Sequence, residues 1–158
     1  YAIWKRYGFI NKEAGEGLVR EFNNSAAMAY LTPHLDTVKY VRKLHEECGY
    51  VLRVITSMSL NKYAYKARLQ NLHALFGESV IDELVCLDTG ADKDEILCKL
   101  GETYNGCYWI EDKPENAEVG AACGFKSLLV RHGHNMTAKG EFKSMKNWEE
   151  IYHEVTGY

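Results

Sequence analysis

The sequence predicts an α/β fold: a three-layer, Rossmann-like parallel sheet with a small helical cap-like appendage at the amino-terminal end. Three observations carry this. From His34 onward, short runs of β-branched and other apolar residues alternate with helical segments of ten or more residues, the pattern of βαβ units. These runs lack polar alternation, as strands do when a sheet is covered on both faces. Glycine or proline marks most junctions, so the elements have legible ends.

Residues 1–33 stand apart, and Pro33 makes a boundary with the 34–158 core. Ile3, Trp4, Tyr7 and Phe9 suggest one short helix; Leu18, Val19 and Phe22 suggest another, packing its aromatics elsewhere. Asp36 is placed to cap a helix running through Glu47, with Val38, Val41 and Leu44 inward and Gly49 past its end. Val51 to Ile55 is a strand leading into Thr56 and Ser57. A helix from Asn61 to Leu75 ends at Gly77, and Glu83 to Leu87 is the next strand. Asp92 then suits the cap of a helix carrying Ile96, Leu97 and Leu100. Tyr108 to Ile110 is a third strand, Pro114 to Cys123 a helix with proline in its first turn, and Ser127 to Val130 a fourth strand. A polar stretch leads to a last amphipathic helix bearing Trp148, Ile151, Tyr152 and Val155.

At 158 residues the chain suits one domain or a core with an appendage. A net charge of −3 argues against a broad basic nucleic-acid surface, leaving room only for a local patch. No apolar run is long enough to span a bilayer. The five cysteines show no CxxC or CxxH spacing and read as small apolar residues, which suits a reducing cytoplasm.

In open α/β sheets, ligands bind beyond the carboxyl ends of the strands. Those ends supply Thr56 and Ser57 after the first strand, and Asp88 and then Lys93 after the second. Glu111 and Asp112 follow the third, and Arg131, His132, His134 and Asn135 the fourth. Hydroxyls, an ammonium group and paired carboxylates together suit a phosphate held with a divalent metal. Each has a plainer role as well. Thr56 and Ser57 suit a helix cap, Lys93 a solvated surface, Asp88 a turn around Gly90, and the acid pair an exposed loop. His132 and His134 alternate as metal ligands would, without a third ligand in sight.

The order of these features resembles motifs II, III and IV of the haloacid dehalogenase-like phosphohydrolases, over nearly the whole chain. VLRVITS resembles the motif II strand, with Thr56 in the phosphoryl-binding position. ADKDEIL resembles motif III, with Lys93 as the lysine that contacts phosphate and nucleophile. YWIEDKPENA resembles motif IV, with Asp112 as the direct Mg²⁺ ligand and Glu111 in support, where relatives often carry Asp. Within that superfamily the chain is most similar to the 5′(3′)-deoxyribonucleotidases and their phage relatives. There Thr-Ser ends the motif II strand, a His-Asn pair (His134-Asn135 here) follows the last strand, and a tryptophan-bearing helix (Trp148 here) closes the chain.

The resemblance implies hydrolysis of a small phosphorylated substrate, a nucleotide or similar phosphomonoester, through an aspartyl-phosphate intermediate. Thr56 and Lys93 would be catalytic; Thr56, Ser57, Lys93 and Asn135 would bind substrate. Asp112 and Glu111 would serve Mg²⁺. The family's nucleophile lies in a DxD loop on a strand preceding the cap, and this sequence begins at about the cap. The sole DxD, Asp92-Lys93-Asp94, follows a loop and overlaps motif III. The expectation is therefore a nucleophile strand upstream of Tyr1, with residues 1–33 the remains of a cap. Two alternatives stand beside this. A polynucleotide-end phosphatase would use Lys62, Lys66 and Arg68 as a basic wall, and a non-catalytic binding module would need no nucleophile.

Overall fold

The computed structural model describes residues 3–34 and 36–158, with the backbone alone at Ile3. The chain is mixed α/β, with helices and small parallel sheets, and it divides into two compact units. One unit is Tyr1–Thr32 with Val51–Ala91; the other is Pro33–Tyr50 with Asp92–Tyr158.

In the first unit the helices are α1 (Ile3–Arg6), α2 (Lys12–Asn23) and α4 (Lys62–Phe76), and the strands are β1 (Leu52–Ser57) and β2 (Ile81–Leu87). Asn11 caps α2 by accepting from the Ala14 amide. Gly15 is needed there, because a Cβ would lie 2.7 Å from the Cβ of Trp4. Tyr7 and Phe22 are exposed. A 3₁₀ turn, Ala26–Tyr30, follows and buries Met28 against Met58 and Ala64. α4 crosses over from β1 to β2, which pair in parallel with Thr56 opposite Cys86 and Ser57 opposite Leu87. Asn71, buried on α4, donates to the carbonyls of Ala29 (3.2 Å) and Leu31 (3.0 Å) and fastens the amino-terminal segment to it.

In the second unit the helices are α3 (Thr37–Cys48), α5 (Asp94–Tyr104), α6 (Pro114–Ala122) and α7 (Trp148–Thr156). Its strands β3 (Tyr108–Glu111), β4 (Lys126–Val130) and β5 (Lys143–Met145) pair in parallel in that order. The core gathers Leu128, Met145 and Ile151, with Trp148 and Val155 against it. α3 lies on α7 through Tyr40, Leu44 and Tyr152. Among the described residues, β1 pairs only with β2 and β3 only with β4, so each keeps one unpaired edge.

Several local expectations need correction. Asp36 makes no capping bond on α3; its carboxylate accepts from the Trp148 amide at 2.7 Å and so serves the first turn of α7. Lys93, not Asp92, occupies the N-cap position of α5. β5 falls at the end of the stretch read as polar, where the sequence predicts no strand. The cysteines are not all unpaired: Cys98 and Cys123 form a disulfide, tying α5 to the end of α6, while Cys48 and Cys107 are exposed. Among the described residues no helix is long and apolar enough to cross a membrane.

Candidate functional site

The sequence-derived site residues fall into two groups, one in each unit. In the first unit, Thr56 and Ser57 end β1 and are half-buried. They do not cap α4, because Asn61 does so by accepting from the amides of Tyr63 (2.8 Å) and Ala64 (3.4 Å). Ser57 Oγ donates to the Ala91 carbonyl at 2.7 Å, which commits its proton and leaves its oxygen as an acceptor. Asp88 shapes the turn as expected. Its carbonyl accepts from the Ala91 amide at 3.0 Å, and Gly90 holds φ +78° inside that turn. Ser57 and Thr89 also line a cavity of about 370 Å³, together with Trp4, Lys12 and Arg20.

Arg68 does not join Lys62 and Lys66 in a basic wall. It is drawn inward, donating to Asn71 Oδ1 at 2.5 Å, and burial pushes its pKa below the ordinary value.

In the second unit the site is built at the end of β3. Alternation along the strand buries Trp109 and Glu111 together. Pro114 occupies the first turn of α6, where its missing N–H costs nothing, and so α6 starts directly after Asp112-Lys113. The Glu111 carboxylate therefore faces the α6 amino terminus. Its Oε1 accepts from the amides of Asp112 (3.0 Å) and Lys113 (3.3 Å). Its Oε2 accepts from Lys93 Nζ at 2.7 Å and from Asn116 Nδ2 at 3.1 Å. The Lys93 and Glu111 side chains are only 12% and 6% exposed, so this ion pair is shielded from water. Lys93 Nζ also lies 5.3 Å from the centre of the Trp109 ring, within cation–π range.

Burial pushes the Glu111 carboxyl up, but hydrogen bonding to Asp112 and the charge and hydrogen bond of Lys93 outweigh it, leaving the group below its ordinary value. Asp112 moves the other way. Burial and the neighbouring Glu111 carboxylate raise it, against an opposing attraction to His132.

Asn135 is 3% exposed. Its amide donates to the carbonyls of Asp112 (2.7 Å) and Val130 (2.8 Å), and its Oδ1 accepts from the His132 amide at 2.8 Å. The side chain is thus spent on backbone and fixes where Asp112 sits, rather than facing a ligand as the sequence suggests.

Glu111, with four protein donors, has no capacity left for a metal without releasing Lys93. Asp112 is the exposed carboxylate of the pair. Its disfavoured negative charge is what a hard cation would relieve, and Mg²⁺ commonly takes one or two carboxylates with waters and substrate phosphate. Among the described residues, no group of three or more His, Cys, Asp or Glu side chains is gathered to hold a metal.

Two contributors escaped sequence reasoning. Trp109 reads as an ordinary strand aromatic, and Asn116 as a solvated helix residue. The only available signal for Asn116 is its place in the first turn after Pro114, where a side chain reaches back to the preceding strand.

No protein-family model matches the chain. It is similar to a protein of Enterobacteria phage T4 described as an uncharacterized 32.4 kDa protein in the Gp30-rIII intergenic region. The two are 28% identical over 143 residues, which is 90% of this chain and 48% of the phage protein. The chain therefore spans about half the length of that relative.

Proposed function

We propose that this protein is a haloacid dehalogenase-like, Mg²⁺-dependent phosphohydrolase that removes phosphate from a nucleotide or similar small phosphomonoester, acting in the cytoplasm. In this reading the two parallel sheets belong to a three-layer Rossmann-like core, and residues 1–33 are the remains of a helical cap. The observation that carries the reading is the shielded Lys93–Glu111 pair beside an exposed Asp112 at the carboxyl end of β3. Lys93 stands in a shielded setting, where an ammonium group offsets negative charge developing on a transferring phosphoryl group. Glu111 holds that lysine and the Asp112 amide; Asn135 holds the Asp112 carbonyl. Thr56 would offer its hydroxyl proton to a phosphoryl oxygen, and Ser57 would do so on giving up its bond to the Ala91 carbonyl. Mg²⁺, when bound through Asp112, would neutralise the phosphate.

The nucleophile is an aspartate of a DxD strand outside this sequence. The unpaired edges of β1 and β3 support that assignment, since each offers ladder groups to a further parallel strand. The twofold greater length of the phage relative is compatible with it. A polynucleotide-end phosphatase gains nothing from the structure, because Arg68 is committed to Asn71.

The test is phosphate release by the protein of the complete reading frame, with Mg²⁺ and a panel of deoxynucleoside monophosphates. Release that is abolished by Asp112→Asn and by chelation is the expected result. No release, or release undiminished by Asp112→Asn, refutes the proposal and leaves a non-catalytic binding module.

A further inference from the structure

His132 lies close enough to Asp112 to bear on its charge, its ring stacks with those of two further histidines, and the reaction proposed above uses none of the three. The rings of His34 and His132 are 4.8 Å apart, centre to centre, and 24° from parallel; those of His132 and His134 are 6.1 Å apart and 16° from parallel. His34 and His134 are exposed and His132 is half-buried. We propose that these near-parallel imidazoles are a stacking platform for the base of a nucleoside monophosphate whose phosphate is bound at Asp112. The inference rests on the phosphohydrolase reading for the phosphate, and adds the group that recognises the rest of the substrate.

The turn that carries His132 and His134 is closed by Asn135, which accepts from the His132 amide through its side chain and donates to the His132 carbonyl through its own amide at 3.1 Å. The same Asn135 side chain grips the Asp112 carbonyl, so the backbones of His132 and Asp112 are held to one fastening point. Stacked rings present faces, and their in-plane nitrogens do not converge on a point. That suits a π partner and not a metal ion, in keeping with the lack of a gathered metal-ligand group among the described residues. Histidine is one of the side chains on which unpaired bases stack, and stacking accepts any base because each has a π face. Residues 131–142 also carry Arg131 and Lys139 against a single acid, Glu141, which favours a ligand that bears phosphate.

The test is binding, read without turnover from the histidine ring resonances and from titration of the full chain with dAMP, with 2-deoxyribose 5-phosphate and with inorganic phosphate, each in Mg²⁺. dAMP should move the His34, His132 and His134 ring signals and bind at least fivefold more tightly than the baseless sugar phosphate. His134→Ala should remove that advantage and leave phosphate binding unchanged, and His134→Phe, which keeps a π face, should restore it. Equal binding of dAMP and the sugar phosphate, or undiminished dAMP binding in both His134→Ala and His34→Ala, overturns the proposal. The two readings fail separately. Base-dependent binding with no phosphate release refutes the phosphohydrolase alone, and phosphate release indifferent to the base refutes the platform alone.

Discussion

Replacing Lys93 by methionine tests the centre of the site. Glu111 is 8% exposed and would keep three of its four donors, the amides of Asp112 and Lys113 and the Asn116 side chain. Breaking a buried ion pair by removing one partner costs about 3–5 kcal/mol when the survivor is left bare. The remaining donors hold part of the charge, so Lys93→Met should cost about 2–3 kcal/mol at pH 7. The pair Lys93→Met with Glu111→Gln removes both charges and should cost less than the sum of the singles by about 1–3 kcal/mol. The pH dependence has a definite sign. In the native protein Glu111 lies below its ordinary value of 4.5, so its contribution is present above that value and lost as pH falls through the depressed one. Without Lys93 two of the effects that lower Glu111 are gone, so its folded value rises and protonation relieves the unpaired charge at a higher pH than in the native protein. The deficit of Lys93→Met should therefore be full at pH 7 and narrow as pH falls toward 4. Urea unfolding followed by tryptophan fluorescence measures it, with Trp4→Phe in every variant so that Trp109 and Trp148 report the second unit. A deficit under about 0.5 kcal/mol at pH 7, or one that does not narrow in acid, refutes the reasoning.

Three further outcomes follow from the packing. Asn135→Ala strands two carbonyls and the His132 amide and should cost about 2–3 kcal/mol in urea unfolding. Gly101→Ala puts a Cβ 2.0 Å from the Cys123 carbonyl oxygen and should cost about 1–3 kcal/mol, less after the Cys98–Cys123 bond is reduced and that peptide can move. In alkylation at pH 8, Cys48 and Cys107 should react first. Cys86 should lag, because burial pushes its thiol above the ordinary value, and should catch up only as pH rises toward that value; mass spectrometry of the modified peptides reads the order.

Much of the fold is legible because its signals are local. Gly49 adopts φ +72° at the end of α3, and Pro114 opens α6. The β-branched run before Thr56 is a strand. What the sequence hides depends on partners distant in the chain. Asp36 has the look of a cap and is one, but for a helix that begins 112 residues later. β5 is three residues, Lys-Ser-Met, with no apolar run to mark it; its register against Leu128–Val130 makes it a strand. In the site, the acid pair and Lys93 are readable as a charge pattern, but the division of labour is not. The pleat turns Glu111 inward to four donors and leaves Asp112 facing out, a distinction set by burial. Asn135 is legible as a polar residue at a strand end, and only its contacts reveal that it clamps backbone. Cysteine spacing gives no hint of the Cys98–Cys123 bond, because the pairing depends on how α5 packs on α6.

The hold of α7 on α3 also bears on how the protein is made. Tyr40 meets Glu149, Glu47 meets Tyr152 and Asp36 meets Trp148, all across more than a hundred residues of chain. On a ribosome adding roughly 5–20 residues each second, α3 waits on the order of 5–20 seconds before its partner helix is synthesised. Through that interval the apolar side of α3, with Tyr40 and Leu44, lacks its final cover. The nascent chain is then at its most vulnerable to misassembly, and the synthesis and docking of α7 end the exposure.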